Sequence, residues 1–194
     1  SEFKVEVSKR VRDFWRGTSR VKRESILMGL DFVGHTVGDT NFDPEGDWTS
    51  KELADYENAL EEVTITLEDL EKDGFENHPC YWFLVAENDN QIIGLSFYWI
   101  RYSTWKGKFL FLEDFVIKEE YRRHGIGSKL FEETIKICKD LKLNGMIWQV
   151  LDWNTPAIDF YKKYKANISS TWLNGKLTKK QIEEICSNSL RKTN

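Results

Sequence analysis

Two spacings of apolar residues alternate along the chain. Tyr81 to Ala86 and Ile92 to Tyr102 are dense in aromatic and aliphatic side chains, with the turn signal Asn88-Asp-Asn90 between them. That is the pattern of a β-hairpin. Phe109 to Ile117 adds a third strand to this antiparallel set, and Met146 to Asp152 a later one. Lys129 to Leu141 instead carries its apolar residues at the three-to-four spacing of an amphipathic helix. Other helix starts are marked by capping chemistry. Thr49-Ser-Lys-Glu52 has capping-box spacing and opens a helical pattern through Leu53, Tyr56, Leu60 and Val63. Thr66-Leu-Glu-Asp69 leads into a short helix ending near Gly74. Asn154 or Thr155 caps a further helix, with Pro156 near its first position, running to about Tyr164. A final strand is expected over Ser169 to Leu173, and Thr178-Lys-Lys-Gln181 starts a carboxy-terminal helix.

The turn after the third strand reads Tyr121-Arg122-Arg123-His124-Gly125-Ile126-Gly127-Ser128. A strand, a basic turn with two glycines and a helix together present backbone N–H groups to an anion. The helix N-terminus adds partial positive charge, and glycine lets a ligand approach the backbone. The spacing Arg-x-x-Gly-x-Gly is neither the Gly-x-Gly-x-x-Gly of a dinucleotide fingerprint nor the Gly-Lys-Ser/Thr of a P-loop. Alone, it is equally compatible with a helix-entry turn carrying solvated arginines.

Glu113 and Asp114 are adjacent within the otherwise apolar third strand. Strict alternation puts Phe111, Glu113 and Phe115 on one face and Leu112, Asp114 and Val116 on the other. An unpaired buried carboxylate is costly. The pair therefore marks either a strand end whose acids reach water or a structural cation, or a general base held between apolar walls. Tyr161, three residues after Ile158, has the spacing of a core tyrosine with its hydroxyl at the surface. Asn154 suits a plain N-cap.

Composition and charge narrow the classes. At 194 residues the chain is long enough for one domain with a substantial core. Its formal net charge of −4 conceals eight Lys/Arg against four acids in residues 1–30, and fourteen acids against two lysines in residues 31–73. The acidic run is either a solvated face or a field that concentrates a cationic substrate. It argues against nucleic acid on that face, and the basic stretch contains no recognisable nucleic-acid module. Cys80, Cys138 and Cys186 have no metal-ligand spacing and read as reduced thiols of a cytosolic protein, so no metal is expected. The longest apolar stretch, Ile92 to Ile100, is too short to span a bilayer, and no signal-peptide pattern opens the chain. The expectation is a cytoplasmic protein that engages no membrane. Phe3 to Val7 reads as a first strand, whereas Gly34 to Trp48, with three glycines and a proline, is a poor helix. An atypical amino-terminal segment, 1–48, is thus set apart from a domain over 49–194.

Six segments occur in an order and spacing that carry a resemblance: Glu52-Leu-Ala-Asp-Tyr-Glu57, Asp73-Gly-Phe-Glu-Asn-His-Pro79, Tyr102-Ser-Thr-Trp-Lys-Gly107, Leu112-Glu-Asp-Phe115, the glycine turn, and Asp152-Trp-Asn-Thr-Pro-Ala-Ile-Asp-Phe-Tyr161. Across roughly residues 52 to 166 the chain resembles the GNAT acetyltransferase superfamily, in particular its diamine (spermidine/spermine) and thialysine acetyltransferase branch. The resemblance implies an α/β fold, a mixed and mostly antiparallel sheet with helices on both faces. The sheet is expected to splay between the Phe109–Ile117 and Met146–Asp152 strands to admit acetyl-CoA.

It also implies roles. Glu113 takes the amine's proton through water, and Tyr161 is general acid to the departing thiolate. Phe115, Val116 and Ile117 meet the acetyl group and pantetheine arm. Arg122, Arg123, His124, Gly125, Ile126, Gly127 and Ser128 surround the pyrophosphate, and Asn154 and Ala157 contact the cofactor. Tyr56, Glu57, Glu113, Asp114 and Trp148 face the substrate amine. The implied reaction is direct attack of a primary amine of a small cationic substrate on acetyl-CoA in a ternary complex, by a homodimer and without a metal. A protein-lysine or other metabolite acetyltransferase, and a non-catalytic acetyl-CoA-binding module, remain alternatives. Three departures stand out. The first 48 residues do not follow the pattern, Lys165 replaces a glycine before Ala166, and Leu173 falls where some polyamine-specific members have an acid.

Overall fold

The computed structural model describes residues 4–6, 66–75, 78–88 and 91–191. The helix expected after Thr49, with Tyr56 and Glu57, lies outside the described residues, as do the boundary at residue 48 and Asp89 and Asn90 of the hairpin turn. The chain divides into two compact units, Ser1–Gln149 and Val150–Asn194.

Among the described residues of the first unit, five strands form one sheet in sequence order. They are β1 (Lys4–Glu6), β2 (Trp82–Asn88), β3 (Gln91–Ser103), β4 (Gly107–Ile117) and β5 (Met146–Trp148). The first four pair antiparallel, and β4 pairs parallel with β5. Helix α1 (Leu67–Phe75) precedes β2, and α2 (Ile126–Asp140) connects β4 to β5. Thr66 starts α1 by reciprocal capping: its Oγ1 accepts from the Asp69 N–H at 3.2 Å, and Asp69 Oδ2 accepts from the Thr66 N–H at 3.0 Å. Between β3 and β4 the Ser103 hydroxyl accepts from the N–H groups of Trp105 and Lys106, and Gly107 takes φ +76° to re-enter the ladder.

Successive residues of β3 divide the sheet into its two faces. Leu95, paired with Val85 and Val116, belongs to a buried cluster with Tyr81 and Phe83, against which Leu70 and Phe75 of α1 pack. Ser96 turns the other way, where its hydroxyl meets Thr134 of α2 at 2.8 Å and is buried with it. Leu84, Leu110, Leu112, Leu130 and Phe131 are fully buried, and burying each such side chain is worth about 1.5–3 kcal/mol. Helices cover both faces, as expected for this α/β sheet. Gly94, opposite Ile117 in the ladder, has no room for a side chain. A Cβ there would stand 2.5 Å from Ile117 Cδ1 and 3.2 Å from the Val116 carbonyl oxygen.

Three expectations are corrected. Strict alternation along β4 fails, because Tyr98 pairs with Leu112 while its neighbour Phe97 pairs with Asp114. Glu113 is the extra residue of a β-bulge, and everything after it changes face. Asp114 and Val116 therefore share the Phe111 side, and Phe115 turns to α2, where it meets Phe131 edge-on at 5.4 Å. The fourth expected strand ends at Trp148 rather than Asp152. No strand forms over Ser169 to Leu173. There the Ser169 and Thr171 hydroxyls bond each other at 2.7 Å and Ser169 Oγ accepts from the Thr171 N–H, a local alternative to a ladder. Trp172 and Leu173 are left exposed.

The second unit holds α3 (Thr155–Lys163) and α4 (Lys179–Arg191). Thr178 caps α4 with Gln181 as expected, each accepting from the other's N–H. Among the described residues no helix is long and apolar enough to cross a membrane. Helices α2 and α3 end alike. Lys142 and Lys165 adopt φ +53° and +58°, and the next residues, Leu143 and Ala166, donate back to Cys138 and Tyr161. This is the Schellman arrangement, which glycine usually occupies. Lys165 thus takes the family glycine's place at a left-handed position.

Left-handed backbone costs a non-glycine residue about 1–2 kcal/mol, of which glycine's greater chain entropy returns about half. Lys142→Gly is therefore expected to raise unfolding stability by about 0.5–1 kcal/mol in urea denaturation; no gain would mean that lysine sits there without strain. Burial pushes the Tyr98 phenol up from 10.0 to about 12. Its neutral form is favoured in the folded state, so stability present below pH 10 is lost as pH rises toward 12. Tyr98→Phe is expected to lose less stability than wild type between pH 9 and 11.5; equal losses would contradict this burial effect.

Candidate active site

Strand β4 carries most of the candidate residues. Its pairing with β3 runs from Gly107 to Ile117, whereas its pairing with β5 covers Leu110↔Met146, Phe111↔Ile147 and Leu112↔Trp148 and then stops. The bulge at Glu113 follows directly on the last of these pairs. The sheet thus loses its parallel partner where the acids begin, and Phe115 to Ile117 run on beyond it. Trp148 ends β5 opposite Leu112, next to Glu113 in register, and its ring meets Phe131 edge-on at 5.8 Å.

The bulge also re-aims Asp114. Glu113 and Asp114 come to the side of the sheet that carries Phe97 and Trp99, not to opposite faces. Glu113 is exposed rather than walled in by apolar side chains. Its Oε2 accepts a hydrogen bond of 2.8 Å from Trp99 Nε1. Asp114 is half-buried. The sequence reading does not single out Trp99. The available signal was an indole N–H in a strand otherwise rich in apolar groups, which needs an acceptor.

After Ile117 the chain makes a short 3-10 turn, Glu119–Tyr121, and enters α2 through the basic loop. The loop is tied to the sheet at both ends: the Lys118 N–H donates to the Ile93 carbonyl, and Arg122 Nε to the Ile117 carbonyl at 2.9 Å. Arg122 therefore spends one donor bracing the end of β4. Arg123, at φ +63°, and His124 are exposed. Gly125 is the N-cap at φ +80° and offers no capping side chain to the first turn of α2, formed by Ile126, Gly127 and Ser128. A Cβ on Gly125 would meet no protein atom within 4 Å. The first N–H groups of a helix lack intrahelical acceptors, so this geometry suits an anion such as a pyrophosphate. The fit rests on backbone, with basic side chains beside it.

The second unit carries Asn154, Ala157 and Tyr161. Asn154 is the N-cap of α3, and its Oδ1 accepts from the Ala157 N–H at 3.2 Å. Tyr161 lies one turn further along and is buried, with Phe160 and Tyr164 as ring neighbours of each other and Phe160 5.4 Å from Tyr161. Burial pushes its phenol up from 10.0 to about 12. Tyr161 is thus a fully protonated hydroxyl at neutral pH.

Known proteins resemble this chain in sequence and in fold. The model of the acetyltransferase (GNAT) family matches residues 44–165. The thialysine N-epsilon-acetyltransferase of Bos taurus is 41% identical over 120 residues, which cover 58% of this chain and 71% of that protein. The spermidine/spermine N(1)-acetyltransferase-like protein 1 of Homo sapiens is 36% identical over 118 residues, covering 57% of this chain and 17% of that much longer protein. Among solved structures, an aminoglycoside acetyltransferase from an uncultured soil metagenomic sample superposes with a TM-score of 0.60 over 92% of this chain and 100% of its own. Its 12% identity speaks to the fold alone. With the family model spanning more than half of its length, the chain belongs to the GNAT acetyltransferase family.

Proposed function

We propose that this protein transfers the acetyl group of acetyl-CoA to a primary amine of a small cationic substrate, a diamine, a polyamine or a lysine analogue. The observation that carries the reading is the end of β4–β5 pairing at Leu112↔Trp148, directly before the bulged Glu113 and the segment Phe115 to Ile117. A pantetheine arm lies along such a segment as an added strand does. The turn at Gly125 and Gly127 then receives the pyrophosphate, with Asn154 and Ala157 as further contacts.

The chemistry asks for two proton movements. An aliphatic ammonium, with an ordinary pKa of ~10.4, is almost wholly protonated at neutral pH and must lose a proton before its nitrogen attacks the thioester. Glu113, exposed at the end of the paired region, is the acceptor in this reading, directly or through one water. As the carbon–sulfur bond breaks, the thiolate takes a proton, which the protonated Tyr161 phenol supplies. Asp114, Tyr56, Glu57 and Trp148 complete the amine side, and the excess of acids between Asp31 and Asp73 favours a second positive charge on the substrate. The relatives named for thialysine and for spermidine/spermine support that substrate class. The family resemblance further supports a homodimer, and three free cysteines suit the reducing cytoplasm.

Two experiments test the reading. Gly125→Val strains the backbone at φ +80° by about 1–2 kcal/mol, but its Cβ meets no protein atom. It is therefore expected to remain folded, as circular dichroism would check, yet to lose most acetyl-CoA affinity in titration. A folded variant with unchanged affinity would remove the loop from the cofactor site. In thiol-release assays, kcat/KM for a diamine is expected to fall as salt shortens the Debye length toward about 3 Å at 1 M. A monoamine of equal length should stay poor and insensitive to salt. Equal rates on both amines at every ionic strength would rule out the cationic substrate.

A further inference from the structure

Trp99 hydrogen-bonds the Glu113 carboxylate through its indole N–H. It reaches across from β3, on the face that Glu113 shares with Phe111. Three contacts fix the indole. It pairs with Phe111 across the ladder, its ring stacks on the Phe111 ring at 5.0 Å and 32°, and it packs against the buried cluster of Tyr81, Phe83, Val85, Leu95 and Val116. Its N–H projects from that support to Glu113 Oε2 at 2.8 Å. An exposed glutamate otherwise samples several rotamers, whereas a rigid ring with two side-chain torsions holds its donor at a fixed point.

We infer that Trp99 is a positioning residue for the acetyl transfer: its indole N–H holds one oxygen of Glu113 so that the other faces the substrate ammonium and accepts its proton. The inference rests on Glu113 being the base. The bond is charge-assisted, and it occupies an oxygen whose lone pairs would otherwise bind water in competing orientations. The pairing follows from the register, since Glu113 lies two residues beyond Phe111, the cross-strand partner of Trp99, and so shares its face. The reach of Trp99 also explains why an aromatic that size occupies a half-buried position on an otherwise well-packed face.

A double-mutant cycle separates this role from packing. Steady-state kinetics of wild type, Trp99→Phe, Glu113→Gln and the double variant are measured with acetyl-CoA and the best acceptor among thialysine, spermidine and lysine. Trp99→Phe keeps a ring on Phe111 and removes the donor; Trp99→Tyr is a second ring-preserving variant without an indole N–H. The expected result is a kcat about tenfold lower for Trp99→Phe, the scale of one charged hydrogen bond, with KM for acetyl-CoA unchanged. In the Glu113→Gln background the same substitution should change kcat by less than about twofold, since the positioned base is already gone. If Glu113→Gln is slow while Trp99→Phe runs at the wild-type rate, or slows both backgrounds equally, the base stands and Trp99 is a packing residue. If Glu113→Gln itself keeps the wild-type kcat, the base assignment fails and the role of Trp99 falls with it.

Discussion

Strand β4 is hydrogen-bonded along its whole length on one side and for only three residue pairs on the other. This asymmetry organises the first unit. Antiparallel pairing with β3 fixes the strand's position and its twist, and the core on both faces is built upon that pairing. The short parallel contact with β5 then sets where the edge of β4 turns from structural to chemical. A longer β5 would extend the ladder over Phe115 to Ile117, the segment proposed to meet the thioester. A shorter one would leave Leu110 and Leu112, both fully buried, without the neighbouring strand that helps to cover them.

The two proposed proton-handling groups sit in opposite surroundings. Glu113 is exposed and hydrogen-bonded by an indole. Tyr161 is buried, and burial alone raises its phenol far above neutrality. One environment keeps an acceptor ready and the other keeps a donor loaded. An enzyme that both removes and returns a proton needs that division, and here it arises from solvent access more than from neighbouring charges.

What the sequence disclosed was local. The caps at Thr66, Asn154 and Thr178 were legible because their chemistry spans three residues and needs nothing from the rest of the chain. The strands were legible from their apolar density, and the basic turn from its two glycines. The bulge was not, since one inserted residue changes the face of every side chain after it without changing composition. Trp99 escaped because its partner is fourteen residues away, and only the register reveals which side chains meet. The expected strand at Ser169 to Leu173 failed because β-propensity is a statement about a partner surface as much as about the segment. The Ser169 and Thr171 hydroxyls settle the local backbone instead.

Gly94 links two parts of the chain that sequence keeps well apart. Its missing side chain is the space into which Ile117 Cδ1 projects, and Ile117 ends the strand segment read here as the pantetheine track. An allele that places any side chain at 94 would press first on Ile117, and then on the Val116 carbonyl and Ala86. The disturbance would be felt along the segment proposed to take the pantetheine arm, and a survey of variants would file the defect under the wrong strand. Substitution at this position is therefore resisted by the packing of two strands at once, β2 and β4, against the backbone of β3.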